Sequence, residues 1–501
     1  MKIDISKGWY PDLIPYEIAG GLTDCKNLLP YDEYYANAVS KVDYSSNAVS
    51  GTPRTGAEFR ASNETRYQFI GTSTKLYRLE TDNSLTDVSK AATTYTTGDN
   101  QWCFIPYGDW LVALNFTDAP QVLKTFQTTA NFADLGGSPP KAKYGIINNG
   151  HLILAYLDEA GTISPKDLIW SAYESVEDFT ESLTTGASRQ TLYDADGEIM
   201  GICNIGNDFL IFHKNSITKG RWVGRPKTFE FDYNLFKNIG AIIGTPISIG
   251  NKVYFWDEKS IYVTDGVSCQ DIGFGWKNTV LSSLDLGYLY RITTAHDTRH
   301  GIIYWGIVTG NSADGTPDRI IAHNYRISRT TYIDIDHECL FPMHKGSTDL
   351  DSLSATYPSL DLMPYSMDSN IWLANASVLA CVNDTSSKVA IFTGTVLTWI
   401  LETGEIYGGN MGQEGVKSDA IIQALKVRPE ISQAIDDVTV SIGSRMNEND
   451  SVDYGTVTTV GSNGHATMRK TGRYLRAKLS GGVMGGIHKD INMDLALVGG
   501  R

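Results

Sequence analysis

Apolar and polar positions alternate in short runs along this chain, and one block occurs twice at a distance of 44 residues. The copies are Gly206–Phe212, followed after four residues by Ile217, and Gly250–Trp256, followed at the same spacing by Ile261. Each copy opens with Gly-Asn, which tolerates positive φ, and continues with β-branched and aromatic residues, so each predicts strand, tight turn and strand. A period of about 40 to 50 residues with several short strands is typical of a propeller blade.

The same rhythm of strands and turns continues over most of the chain. Its anchoring glycines are Gly71, Gly108, Gly150, Gly206, Gly250 and Gly301. Their uneven spacing fits blades with inserted loops better than a strict repeat. We therefore predict an all-β chain with a β-propeller over about residues 66–405. The polar segment between Pro342 and Pro364 is predicted to be an inserted connection.

The two ends of the chain have a different pattern. Proline interrupts residues 1–65 repeatedly, which predicts an N-terminal arm that lies on another surface. Beyond about residue 405, Val438–Gly443 and Tyr474–Leu479 alternate with period two, as half-buried strands do. Residues 406–501 are predicted to form an additional C-terminal β-sandwich-like domain, with residues 461–464 as a hairpin loop. The arm is a candidate to join this domain.

Charge and cysteine content narrow the possible classes of function. The formal net charge is −15 and the pI is about 5.1. Tight binding to duplex DNA requires a basic surface, so this balance argues against it. The six cysteines form no CxxC pair, which predicts reduced thiols. Because neither a signal peptide nor a run of 18 apolar residues is present, we expect no membrane insertion and a cytosol-like compartment, or a particle assembled there.

The sequence contains none of the common catalytic patterns, such as GxSxG, GxxxxGK[ST] or HExxH. Asp194–Gly197 begins like a calcium loop but lacks the later ligands, and His296 and His300 are expected in a turn. The acidic cluster Asp334–Glu338 has the residue type used in glycoside hydrolysis. Its two aspartates alternate onto one face, where repulsion favours a solvated edge. We therefore predict no enzymatic activity, no catalytic or cofactor-binding residue and no metal.

The basic stretch Met468–Arg476 has two interpretations. Arg473 and Arg476 could contact the phosphates of passing nucleic acid. Alternatively, they pair with carboxylates of the same or a neighbouring subunit, which suits so acidic a chain. We prefer the second interpretation, and Arg473 and Arg476 are the candidate assembly contacts.

A series of stretches from about residue 66 to the end resembles one family of proteins. They are Gly71–Val88, Gly108–Gln121, Pro139–Lys143, Ile169–Ser171, Ser216–Pro226, Ile239–Gly240, Ile261–Gly266 and Gly472–Arg476. In this order they resemble the tail hub, or nozzle, proteins of short-tailed (podovirus-type) bacteriophages, which are related to the packaged-DNA stabilisation proteins.

The resemblance implies a structural virion protein without catalytic residues. Six copies would form a homohexameric ring below the portal and the head-to-tail adaptor. That ring would continue the DNA channel, retain the packaged genome, pass double-stranded DNA at ejection, and attach tail fibres or spikes and a plug or needle protein. Assembly would take place in the host cytoplasm.

Two alternatives remain open from the sequence. One is a carbohydrate-active or receptor-binding propeller protein of a phage tail, and the other is a cellular propeller that serves as an interaction scaffold. The missing signal peptide disfavours a secreted enzyme, and the missing WD and kelch signatures disfavour the common cellular scaffolds.

Overall fold

A computed structural model describes residues 1–18, 20–91, 93–125, 130–344, 377–408, 420–431, 437–482 and 487–499. Within these residues the regular secondary structure is almost entirely β-strand, so the all-β prediction is confirmed. The described helices are the α-helix Lys277–Ser283 and the 3-10 helix Leu286–Arg291. None of the described helices is long and apolar enough to cross a membrane. Most of the predicted inserted connection between Pro342 and Pro364 lies outside the described residues.

Seven antiparallel sheets follow one another along the chain, and we number them in that order. The first contains Pro53–Arg60, Arg66–Thr72, Leu76–Leu79 and Leu85–Asp87. The second contains Cys103–Tyr107, Trp110–Leu114, Gln121–Leu123 and Ala133–Asp134. The third contains Lys141–Asn148, His151–Glu159, Thr162–Trp170 and Ser188–Thr191. The fourth contains Ile199–Ile205, Asp208–His213, Ser216–Gly224 and Thr228–Lys237.

The remaining three sheets are also built from strands that each pair with the next in an antiparallel meander. The fifth contains Ile247–Ile249, Lys252–Trp256, Ile261–Thr264 and Cys269–Asp271. The sixth begins with Thr293–Asp297, Ile302–Ile307, Arg319–Asn324 and Arg329–Asp334. The seventh contains Leu340–His344, Ser377–Val382 and Val389–Val396, and its fourth strand is Val39–Asp43 from the N-terminal region.

The repeated block of the sequence forms the first hairpins of the fourth and fifth sheets. Gly206 and Gly250 occupy the first turn positions with φ of 59° and 60°. Glycine with positive φ at this position matches a type II′ turn, whose twist suits the flanking strands. The local prediction of strand, turn and strand is therefore confirmed at both copies.

Neighbouring sheets pack on one another through apolar side chains. The contacts run from each sheet to the next and from the seventh back to the first, and the first strands of most neighbouring sheets touch. Ring pairs between neighbouring sheets are Phe69 with Phe104, Trp170 with Phe229, Phe212 with Phe255, and Trp256 with Trp305. Shared apolar clusters join the second sheet to the third, the sixth to the seventh, and the seventh to the first.

The C-terminal region and the N-terminal segment build two further layers together. One is a six-stranded sheet, which we call the C-terminal sheet, and the other extends the sixth sheet to ten strands. The C-terminal sheet contains Lys2–Asp4, Leu28–Pro30, Tyr35–Asn37, Ile421–Ile431, Ala466–Gly472 and Ile487–Gly499. The extension contains Leu22–Lys26, Trp399–Thr403, Thr439–Arg445, Asp453–Tyr454, Thr458–Thr459 and Tyr474–Gly481.

Alternate residues of the two layers meet in one apolar cluster, to which Leu475, Ala477 and Leu479 contribute buried side chains. The half-buried strand predicted from the period-two pattern of Tyr474–Leu479 is therefore confirmed. The predicted arm is distributed over several sheets, and the first sheet already begins at Pro53. Because Leu22–Lys26 pairs with both Arg329–Asp334 and Trp399–Thr403, continuous hydrogen bonding joins the sixth sheet to the C-terminal region.

Candidate functional site

The two arginines predicted as assembly contacts lie in different environments. Arg476 is on the strand Tyr474–Gly481, and its Nη1 lies 2.8 Å from Oε1 of Glu402 on the neighbouring strand. The exposed fractions of these two side chains are only 16% and 9%. Arg473 precedes the strand and is exposed, and the described residues provide no carboxylate partner for it. Arg476 is thus committed within the subunit, whereas Arg473 is available to a neighbour.

Glu402 is the centre of a polar network on the extended sixth sheet. Tyr454 donates its hydroxyl to Glu402 Oε1 at 2.5 Å, and Lys478 Nζ lies 3.9 Å from Oε2. Arg476 and Lys478 also lie over the Tyr454 ring, at 5.7 and 5.2 Å from its centroid. A buried carboxylate needs such compensation, since its desolvation is otherwise costly.

A second group of charges continues this network towards the middle of the same sheet. Asp334 accepts from Arg319 at 2.7 Å and pairs with Lys26 at 2.7 Å. Tyr332 donates its hydroxyl to Asp24 at 2.7 Å, and burial raises the pKa of the Asp24 carboxyl. Ion pairs and hydrogen bonds thus cross the strands that join the sixth sheet to the C-terminal region.

The acidic cluster Asp334–Glu338 does not converge on one point. The strand ends at Asp334, so the alternation expected from the sequence does not continue to Asp336. Burial is the main cause that raises the pKa of Asp336 and of Glu338, and Glu338 contacts Arg291. His337 is fully buried, which lowers its pKa to about 4. Asp334 and Glu338 thus have separate cationic partners, since Asp334 pairs with Lys26 and Arg319 and Glu338 with Arg291.

The other candidate ligands of the sequence are also separated. His296 contacts the Tyr325 hydroxyl at 3.3 Å, whereas His300 lies 2.6 Å from Asp297 in the turn that follows. Asp194 is exposed in the connection between the third and fourth sheets. Across the described residues, no three His, Cys, Asp or Glu side chains are grouped as a metal site would require. The six cysteines are free thiols, and burial raises the pKa of Cys103 to about 11.

One segment that the sequence analysis missed brings distant sheets together. Gln101, just before the second sheet, donates to the carbonyls of Tyr290 and Ile292 at 2.8 and 2.6 Å, just before the sixth sheet. Arg54 of the first sheet lies over the Tyr290 ring at 5.2 Å. Glu338, before the seventh sheet, contacts Arg291. We call Leu286–Ile292 the crossing segment, because it links sheets that are not neighbours in the series.

Exposed apolar side chains occur in the connection between the last two strands of the third sheet and on a strand of the fourth sheet, just before its connection to the next strand. Leu183 is 75% exposed, and Tyr173 and Trp222 are each 44% exposed. Arg225 donates to the Thr184 carbonyl at 2.6 Å and lies over the Tyr173 ring at 5.6 Å, which links the two connections. We call Tyr173, Leu183, Trp222 and Arg225 the aromatic patch.

An open pocket of about 220 Å³ lies on the fourth sheet and is lined by Lys219, Arg221, Glu230, Phe231 and Asp232. Ligand pockets are usually apolar clefts of about 300–1,000 Å³, so this charged depression has neither the size nor the lining of one.

No protein-family model matches the chain, and no curated protein matches it.

Proposed function

We propose that the seven sheets form a seven-bladed β-propeller, with the N-terminal strand Val39–Asp43 as the outer strand of the seventh blade. Support comes from the contacts that run from each sheet to the next and from the seventh back to the first. Closure of this kind leaves only short sheet edges exposed. The domains proposed from the sequence are an arm over 1–65, a propeller over 66–405 and a β-sandwich-like domain over 406–501. The arm then contributes strands to both of the others.

The chain is proposed to be a tail hub or nozzle subunit of a short-tailed bacteriophage. Six copies form a ring below the portal and adaptor, continue the DNA channel, retain the packaged genome and pass it at ejection. The observation that carries this proposal is the ten-stranded sheet, which fuses the sixth blade to the C-terminal region. A subunit in which both parts share backbone hydrogen bonds suits a static structural role. We propose no enzymatic activity, since Asp334 and Glu338 are held in ion pairs with different cations.

The DNA path of this assembly lies between subunits and not through a propeller. The crossing segment joins Gln101 of the second blade to Tyr290 before the sixth, so it lies across the middle of the propeller. Six copies carry a formal charge of −90, six times −15. Acidic walls repel DNA phosphate within the Debye length of about 8 Å at physiological salt, so a central channel lined by these subunits lets DNA slide.

The direct test is reconstitution with the cognate portal–adaptor complex. The purified chain is added, the mixture is sedimented, and the particles are imaged. A ring of six copies that extends the channel is the expected result. A chain that stays at the top of the gradient, under conditions where the portal–adaptor complex is intact, would contradict the proposal.

The aromatic patch favours a second candidate, a receptor-binding or carbohydrate-active tail protein. Exposed aromatic residues and arginine are typical of recognition surfaces. Incubation of the isolated chain with host surface polysaccharide separates the candidates. Cleavage, or binding that Trp222→Ala abolishes, supports the second candidate, whereas an inert chain that forms rings on the adaptor supports the first.

A further inference from the structure

Charge is unevenly distributed along this chain. Residues 421–501 contain ten Lys and Arg against eight Asp and Glu, a formal charge of +2. The remaining 420 residues contain 32 Lys and Arg against 49 Asp and Glu, which gives −17. Each subunit therefore has an acidic body and a weakly basic C-terminal region.

The C-terminal sheet presents several of these basic residues on one face. Val427 and Ala466 are register partners and both are buried, so they face the core. Their neighbours Lys426 and Thr467 are also partners and point the other way. Arg428, two residues from Lys426, shares that exposed face because side chains alternate along a strand, and Arg469 on the partner strand is exposed as well. With the exposed Arg473 after the edge strand, Lys426, Arg428 and Arg469 form what we call the basic surface.

Among the described residues, no ion pair neutralises the charges of the basic surface. Its four side chains take part in no ion pair in the part of the chain that the structure describes. By contrast, the neighbouring Lys470 is in an ion pair, with Asp453 at 2.5 Å. Four carboxylates share the face, namely Asp494, which is opposite Lys426, with Glu430, Asp490 and Asp4, and Asp490 pairs with Lys2 at 2.5 Å. With Lys2 included, five positive and four negative groups leave this face at +1.

We propose that the basic surface binds the acidic body of a second copy of this chain, head to tail. The inference rests on the proposed ring and names the surface that forms its subunit contacts. A chain with separate basic and acidic regions is complementary to itself, and a head-to-tail contact repeats until a ring closes. Exposed charges at the rim of an interface speed association by long-range attraction. Because salt screens this attraction, the contact should weaken as the salt concentration rises. Duplex DNA is a less suitable ligand of the basic surface, because the acidic body of the subunit would repel its phosphates.

The test uses the double variant Arg469→Glu/Arg473→Glu, which leaves the Arg476 ion pair intact. A matched control, Lys237→Glu/Lys252→Glu, changes the net charge equally at exposed lysines outside the C-terminal region. Self-interaction of each full-length chain is measured by static light scattering at 20 mM and 500 mM salt. We expect attraction at low salt for the natural chain and the control, and its loss in the double variant. Equal behaviour of the variant and the control would overturn the proposal.

Ring formation on the portal–adaptor complex is the second readout. The double variant should form about tenfold fewer rings than the control, which corresponds to 1.4 kcal/mol. The double variant, added in small amounts to the natural chain, should also block ring closure, because it can bind a neighbour only through its acidic body. Low-salt attraction without rings on the adaptor would refute the nozzle function but not this contact. Rings that form equally with both variants, or duplex DNA binding lost only in the double variant, would refute the contact.

Discussion

Arg476 is expected to stabilise the fold, whereas Arg473 is not. Replacement of Arg476 by alanine leaves the Glu402 side chain, which is 9% exposed, without its closest cation. Removal of one partner of a buried ion pair usually costs about 3–5 kcal/mol. The Tyr454 hydroxyl at 2.5 Å and Lys478 at 3.9 Å still compensate part of the charge. We therefore expect the lower end, a loss of about 3 kcal/mol in the free energy of unfolding.

Urea unfolding followed by tryptophan fluorescence is the assay for this comparison. Arg473→Ala is the matched control, since exposed substitutions usually change stability by less than about 0.5 kcal/mol. Replacement of Glu402 by glutamine should also destabilise the chain, and the Arg476→Ala/Glu402→Gln double variant should lose less than the sum of the single losses. Equal stability of the two arginine variants would refute the assignment of Arg476 to an internal pair.

Three further predictions concern stability. Burial lowers the pKa of His323 and His337 to about 4 from 6.5. Between these values the unfolded chain binds protons at both histidines and the folded chain does not, so the free energy of unfolding should fall as the pH drops from about 6.5 towards 4. Midpoints of urea unfolding that do not change over this range would contradict the prediction. Asp12→Ala should destabilise the helix Lys277–Ser283 by about 1–2 kcal/mol, because the Asp12 carboxylate accepts hydrogen bonds from two backbone N–H groups in its first turn. Hydrogen exchange of the amides of that helix measures the effect, with Asp12→Asn as the control. Gln101→Ala removes two hydrogen bonds to the crossing segment and should lower the free energy of unfolding, measured in urea, by about 1–3 kcal/mol. An unchanged free energy of unfolding would mean that these bonds do not hold the segment.

Features that depend on neighbouring residues were predictable from the sequence. The turns at Gly206 and Gly250 follow from the need for positive φ between two strands. The alternation in Tyr474–Leu479 follows from one buried and one exposed face of a sheet. Both signals are contained within about ten residues, so no knowledge of the distant chain was necessary.

Pairings between distant residues could not be predicted in this way. Val39–Asp43 completes a sheet whose other strands begin at Leu340, and its short, partly polar sequence fits many positions at a sheet edge. The same limit applies to the candidate site. Glu402 precedes Arg476 by 74 residues, and nothing in the local sequence marks them as partners. Arg473 and Arg476 therefore looked equivalent, although one is exposed and the other is paired.

The shared sheet has a mechanical consequence for the proposed nozzle. A force on the C-terminal region reaches the sixth blade through the strand Leu22–Lys26, which pairs with Arg329–Asp334 on one side and Trp399–Thr403 on the other. Cross-strand groups reinforce this junction, since Lys26 pairs with Asp334 and Tyr332 bonds to Asp24. A flexible linker between the parts would let each subunit tilt under the pressure of packaged DNA. In the proposed nozzle we expect the shared sheet to make the two parts deform together, because backbone pairing joins them directly.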